Sequence, residues 1–476
     1  MGIQGQVHIS QQVQPQFRVD VSTTIAEVSA RLDRLPMTWF IYKLTILLGI
    51  AWIAEAFDIG IIGSALLPLK NVWNLTPSQS GLLGVAGTIG IVLALIPSGM
   101  LVDRFGRKKV LLWGIAWFSI FTLLGAFAQS ITMLIILRFI AGLGQGAIFP
   151  LPYAYLSEFV PPRVRGTFMG YLNGILTASY LLPPLISSYI LVNSPPELGW
   201  KYIFVLGVIP LVLVPILLKW LPESPRWLAR KGYIQEAREL MQQIENEVSK
   251  QIKGPLPEYK AIIDNSIPTQ EAGWFAAFQG RYLKKTLTVT SAYIGAFILW
   301  YIMLTFGPTL FVKEGFNFAK SLQYNALLMF AGGLGSILMG YAADKFGRRP
   351  IISTYAILAA IGMFILYINR SVLTIYVAGI IVGLFGLGIF PITKVYIAEQ
   401  FPTSIRGRGT FTCEAMARFF GGVLVTYYVP FIVAFFDSAS QIFLLISIAL
   451  FILTALPIMV LGKETKGLSI DDAAKQ

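Results

Sequence analysis

A pattern that occurs twice at one fixed spacing constrains this chain more than any other feature of it. Asp103-Arg104-Phe105-Gly106-Arg107-Lys108-Lys109 returns as Asp344-Lys345-Phe346-Gly347-Arg348-Arg349, 241 residues later (103 to 344). At the same offset Glu158 returns as Glu399, Arg165-Gly166 as Arg406-Gly407, and Ile148-Phe149-Pro150 as Ile389-Phe390-Pro391. Four matches at one offset mark a duplicated unit. Whatever the first half folds into, the second half folds into again, and the two must pack on each other.

The material of that unit is apolar. Of the 476 residues 55% are hydrophobic and only 13% charged, more apolar surface than a water-soluble core can hide. A membrane crossing takes about 20 apolar residues. Twelve such stretches follow one another near 42–67, 80–102, 110–129, 132–156, 166–191 and 202–221, then near 286–312, 322–343, 351–368, 372–397, 408–433 and 440–461. These are spans 1 to 12. The expected fold is an all-α membrane protein whose twelve transmembrane helices form two pseudo-symmetric six-helix halves. The chain divides into a polar amino-terminal segment (1–40), a first half (41–221), a linker with short helices (222–284), a second half (285–461) and a tail (462–476). The apolar region begins too late and runs too long for a cleaved signal, so span 1 is read as a signal-anchor. Two such halves enclose a cavity within one chain, and rocking one on the other would open it to each side in turn. A monomeric carrier of a small solute is the expectation.

The formal net charge of +13 does not point to nucleic acid, because the basic residues sit in short clusters between spans and leave no domain-sized basic fold. The loops after spans 2, 4, 8 and 10 carry Arg104, Arg107, Lys108, Lys109, Arg163, Arg165, Lys345, Arg348, Arg349, Arg406 and Arg408, whereas the alternate loops offer little beyond Lys70 and Arg370. By the positive-inside rule the basic loops, both termini and the linker are expected in the cytoplasm of a multi-pass cell-membrane protein. One cysteine, Cys413, excludes an internal disulfide, and a single histidine, His8, makes a metal site improbable. No cofactor is expected. A membrane enzyme would need a nucleophile with its base or a metal cluster, and an ATP-driven pump a Gly-x-x-x-x-Gly-Lys-Ser/Thr loop; the chain carries neither.

Asp-Arg-Phe-Gly-Arg-Lys-Lys between spans 2 and 3, Pro222-Glu223-Ser224-Pro225-Arg226-Trp227 after span 6, Arg406-Gly407-Arg408 and Lys463-Glu464-Thr465-Lys466-Gly467 resemble the major facilitator superfamily, in its sugar porter branch. Within that branch, Arg31-Leu32-Asp33-Arg34-Leu35-Pro36 followed by Trp52-Ile53-Ala54-Glu55-Ala56-Phe57-Asp58 is similar to the metabolite:proton symporters, which include niacin and aromatic-acid carriers. Proton-coupled symport by alternating access is what the resemblance implies. A hexose porter or uniporter on the same fold, and a non-transporting receptor, are the alternatives.

An arginine between two helix ends can bond a carboxylate and cap orphan carbonyls. Asp103, Arg104 and Arg107 are thus expected to meet Glu158 and Arg165, and Asp344 and Arg348 to meet Glu399 and Arg406, latching the halves when the cavity faces outward. The resemblance adds Glu223 and Arg226 as partners of the helix ends. A purely topological reading would need no glycine, aspartate or repeat at these places.

Ionisable groups inside spans are costly and seldom stand without a partner. Span 1 holds Glu55 and Asp58 at i,i+3, and span 4 holds Arg138. Asp58 lies ~15 Å and Arg138 ~9 Å from the outer ends of their helices, so the side chains can meet. In the resembling families such a pair forms the proton switch; a permanent structural pair is the other reading. Neither has a symmetry mate, the offset positions being Leu299 and Gly379. Glu55 either shares the proton of Asp58 or faces water in the cavity.

For the solute, Lys394 stands where the resembling sugar porters place a cavity tryptophan. It suits a carboxylate, or it snorkels to an interface ~7.5 Å away. Tyr153 is its symmetry mate. Aligned on Pro308, span 7 has Ala296, Phe297 and Ile302 where sugar porters hold hydroxyls with amides, which disfavours a hexose. Asn173 replaces a span 5 glutamine. Trp300, Tyr301, Tyr153 and Tyr396 are candidate walls for a flat, partly apolar ligand, though such aromatics also serve as core. Glu414 and Arg418, at i,i+4, form either a second ligand site or a packed brace.

Overall fold

The computed structural model describes residues 15–161, 165–252, 255–259, 276–369, 371–401 and 405–466. Among them twelve helices are long and apolar enough to cross a membrane. The first six are Trp39–Trp73, Pro77–Phe105, Arg107–Gly125, Ile131–Phe159, Thr167–Val192 and Pro196–Trp220. The second six are Tyr282–Lys313, Phe318–Phe346, Arg348–Ile368, Val372–Glu399, Gly409–Phe436 and Ser440–Leu461. Each falls on one of the twelve apolar stretches. Local chemistry sets several starts: Thr76 and Gln79 form a capping box before span 2, and Ser130, Asn317 and Ser371 accept from the backbone N–H three residues on in spans 4, 8 and 10.

Breaks in the helices fall where the chain must bend around the interior. Span 4 is interrupted at Pro150, which cannot donate to the helix ladder. Its mate, span 10, passes through a π-helical turn at Val382–Gly386 and a 3₁₀ turn at Leu387–Ile389 before resuming at Phe390–Glu399. Span 11 carries a π-helical stretch, Arg418–Val425, that begins at an arginine. Such insertions re-aim side chains and cluster at functional places.

Span 1 packs on span 7, span 2 on span 11, and span 5 on span 8. The last two are related by the 241-residue offset, as a duplicated unit demands. Away from the repeated basic motifs the helices approach until backbones touch. A β-carbon on Gly63 would lie 2.1 Å from the Leu304 carbonyl oxygen, and one on Gly81 2.4 Å from that of Tyr427. Two cavities therefore lie at opposite ends and share no lining residue. One of about 530 Å³ opens on the basic face, lined by Tyr153, Tyr171, Tyr341, Asp344, Lys394 and Glu414 among others. One of about 330 Å³ lies at the other face between Leu66, Pro77, Phe306, Leu310, Val429 and Pro430.

The linker forms short helices at Pro225–Arg230 and Ile234–Ser249. The polar segment before span 1 contributes a helix that was not expected from its composition, Pro15–Asp33, lying against both. Val28, Leu32 and Leu35 are buried there with Ala237, Met241, Ile244 and Val248. Around this seam Glu245 accepts from Arg31 at 2.7 Å and from Arg34 at 2.6 Å.

Candidate functional site

Asp58 and Arg138 meet inside the first half. Both are buried, Asp58 completely. One guanidinium nitrogen of Arg138 donates to both carboxylate oxygens of Asp58, at 3.1 and 3.2 Å, and the other to the Asp58 carbonyl at 3.2 Å. The Thr122 hydroxyl and the Gln145 amide also donate to the carboxylate. Sequence reasoning missed both of these groups. Gln145 lies seven residues beyond Arg138, two turns along the same face, and that spacing was the available signal. Thr122 comes from span 3 and had none.

Glu55 does not face water: it is wholly buried, and neither carboxylate oxygen has a hydrogen-bond partner among the described residues. The charges acting on it are Arg418, Lys394, Asp58 and Glu414. It thus feels both the Asp58 carboxylate and a second ionic group contributed by the other half.

That second group begins at the inner wall of the larger cavity. The Lys394 ammonium lies 4.6 Å from the ring centre of Phe149 and 4.6 Å from that of its symmetry mate Tyr153. Its contacts are therefore across the halves, not out toward an interface. Arg418 packs at 3.7 Å over Phe149 and 4.8 Å over Phe297, donates to Glu414 at 3.0 Å, and donates to the Tyr301 hydroxyl at 2.6 Å. Phe149 so carries a cation from each of spans 10 and 11. The Tyr153 hydroxyl donates to Asn173, whose amide reaches Ser336 of span 8 at 3.2 Å. Trp300 stands edge-on to Tyr180 at 4.9 Å and to Phe390 at 5.1 Å. Tyr396 does not belong to this group. Its hydroxyl donates to the Lys463 carbonyl at 2.8 Å, so the ring points into the second half beneath the tail and forms no cavity wall.

The repeated motifs build two matching clusters on the basic face. Gly106 and Gly347 turn the chain at φ +96° and +101°, a region that favours glycine. A β-carbon would meet a carboxylate oxygen at 2.4 Å in Glu223 and at 2.5 Å in Glu464. Those carboxylates accept from the first amides of the following spans: Glu223 from Arg107 and Lys108, Glu464 from Arg348 and Arg349. Burial pushes the Glu223 carboxyl up, against the pull of these backbone hydrogen bonds. Ser224 donates to Glu158, and Thr465 to Glu399 at 2.5 Å. Glu464 and Thr465 are the offset mates of Glu223 and Ser224, a fifth match that sequence reasoning passed over.

The arginines in these clusters bond within their own half. Arg107 reaches Glu158 at 3.0 Å and Asp103 at 3.7 Å; Arg348 reaches Asp344 at 3.3 Å and Glu399 at 3.8 Å. Among the described residues none of these pairs joins one half to the other, so the expected latch is not formed with the cavity open on this face. Arg226 is a further correction, since among the described residues it pairs with Asp33 of the amino-terminal helix at 2.8 Å and not with a span end. Arg104 lies over the ring of Phe105 at 5.2 Å. The side chains of Arg165 and Arg406 lie outside the described set.

Residues 44–476 match the sugar (and other) transporter family. The niacin transporter NiaP of Acinetobacter baylyi is 30% identical over 446 residues, spanning 94% of this chain and 99% of that protein. The 4-hydroxybenzoate transporter PcaK of Pseudomonas putida is 27% identical over 84% of this chain and 87% of its own. In overall fold the chain is similar to the proton:xylose symporter XylE, with a TM-score of 0.72 at 20% identity, covering 92% of this chain and 98% of that one.

Proposed function

The chain belongs to the sugar (and other) transporter family, a multi-pass membrane carrier of a small organic solute and not an enzyme, and from that premise we propose that it is a proton-coupled symporter of a small, flat carboxylate. The observation that carries this reading is the Lys394 ammonium: it lines the larger cavity, lies over Phe149 and Tyr153, and has no carboxylate in ion-pair contact among the described residues. A cation in such a place is best matched by an anion, and its aromatic surroundings favour a ring over a polyol. Arg418 supplies a second donor once it leaves Tyr301. The named substrates of the two relatives, niacin and 4-hydroxybenzoate, are of this chemical class.

Asp58 and Arg138 are the coupling pair in this reading. Ionised Asp58 holds Arg138 by charge and by hydrogen bonds, and breaking a buried pair by removing one partner costs about 3–5 kcal/mol. A proton on Asp58 removes the charge and frees the arginine, so the protonated carrier changes state more cheaply. The gating clusters, around Arg107 with Glu158 and Arg348 with Glu399, hold each half rigid while the halves rock. With the basic loops in the cytoplasm, the cavity faces inward and an inward proton gradient drives uptake.

The test is uptake of labelled solute into proteoliposomes, because one proton carried with one monoanion moves no net charge and evokes no current. Nicotinate, 4-hydroxybenzoate, nicotinamide and glucose are each applied under an imposed pH gradient to wild type and to Asp58→Asn. Gradient-driven, saturable uptake of the carboxylates alone, abolished by Asp58→Asn, is expected. Uptake of glucose alone would make this a sugar porter, and carboxylate uptake unchanged by Asp58→Asn would make the pair structural.

A further inference from the structure

Between the two ionic groups lies a void of about 20 Å³, lined by Gly87 and Thr88 of span 2, Arg138 and Gln145 of span 4, Tyr301 of span 7 and their neighbours. A space of ~10–15 Å³ or more, with two to four polar partners, is enough for one water. Two of the lining residues carry buried atoms without a hydrogen-bond partner among the described residues, a donor at Arg138 Nε and an acceptor at Gln145 Oε1. Buried polar atoms are seldom left so. Across the void, the Tyr301 hydroxyl accepts from Arg418 and meets the Thr88 hydroxyl, so its surroundings at the void are polar on both sides.

We propose that this void holds a single water and that Tyr301, acting through it, is the positioning residue that ties the Asp58–Arg138 pair of the first half to the Glu414–Arg418 pair of the second. This rests on the proton-symport reading and says how the proton is felt at the solute. With Asp58 ionised, Arg138 is held by the carboxylate, Thr122 and the Asp58 carbonyl, and Tyr301 is free to accept from Arg418. With Asp58 protonated, Arg138 loses its counter-charge and turns to the water and the phenol oxygen. Two guanidiniums then compete for one neutral oxygen in a low-dielectric interior, and Arg418 is released toward the solute carboxylate. The other charged or titratable groups facing this path are Glu55 of span 1, Tyr180 of span 5, Tyr293 of span 7 and Lys394 of span 10.

Two substitutions separate this from a packing role. Tyr301→Phe removes the hydroxyl. Gly87→Ala fills the void while keeping every polar group, since the added β-carbon would lie at an ordinary 3.5 Å from Arg138. For wild type and both variants, pH-gradient-driven uptake of nicotinate is measured in proteoliposomes, together with the solute-free pH dependence of hydrogen exchange in residues 409–425. In Gly87→Ala, gradient-driven uptake is expected to fall about tenfold, the worth of one hydrogen bond to a charged group, while exchange of nicotinate across equal pH is kept. Both variants should flatten the pH profile of exchange in span 11. Profiles that superimpose on wild type overturn this inference alone. A wild type flat in both measurements overturns the proton reading and this inference with it, and if nicotinate is not carried the exchange profile decides.

Discussion

Lys394 shows how little a single residue says until its surroundings are known. Its place in an apolar helix leaves open whether it binds an anion or reaches for an interface, because a lysine side chain spans either distance. The rings of Phe149 and Tyr153 settle its direction, and both come from the other half of the chain. If the ammonium receives a carboxylate, Lys394→Met raises the KM for nicotinate by a factor corresponding to about 1.5–3 kcal/mol, the worth of a hydrogen bond to a charged group. Lys394→Arg, which keeps the charge, should recover most of that loss. A concentration series of nicotinate uptake for both variants checks this; equal losses would assign Lys394 to packing. Glu55 poses the opposite problem. Its charge was visible in the sequence, but that neither of its oxygens has a hydrogen-bond partner among the described residues follows only from the packing around span 1.

Among elements, the amino-terminal helix has the clearest energetic logic. Composition alone makes residues 1–40 a polar segment, yet Val28 and Leu32, one turn apart on the helix, and Leu35 just beyond its end are buried where it lies against the linker. Arg31 and Arg34 both donate to Glu245. Burial alone would raise the Glu245 carboxyl, but these two arginines outweigh it and hold it below the usual value of 4.5. The sign follows: docking gains stability from this group at pH above about 4.5 and loses it as pH falls through the lower folded value. The protection of residues 21–35, referred to the intrinsic exchange rate at each pH, should fall on acidification below about pH 4.5 and stay high at neutral pH. Glu245→Ala should lower it already at pH 7, by about 1.5–3 kcal/mol. Exchange unchanged in that variant would mean the apolar seam alone holds the helix.

Over the whole molecule, closure of the face opposite the basic loops rests on backbone contact between halves, and so on glycine. Gly81 lies against the Tyr427 carbonyl, where any β-carbon falls at 2.4 Å. Gly81→Leu should therefore hold the halves apart on that face and favour the outward-open state. Cys413 is the only cysteine and is buried, so a cysteine placed at Thr309, in the smaller cavity, reports the opening by its labelling rate. Faster labelling in the Gly81→Leu background, with slower solute transport, is the expected result; an unchanged rate would place the outer closure elsewhere. The twelve spans, the duplication, the matched clusters and the expectation of a cavity between halves all follow from the sequence, because hydropathy and a fixed offset are properties of the chain read along its length. Even Asp58 and Arg138 could be matched by depth alone. The tertiary structure alone decided that Thr122 and Gln145 complete that pair, that Tyr396 turns away from the cavity, that Arg226 holds the amino-terminal helix, and that Arg418 reaches Tyr301 over Phe149. Those contacts join residues up to 269 positions apart (149 to 418), and which side chains meet across two packed halves depends on helix rotation and register, which no spacing along one chain records.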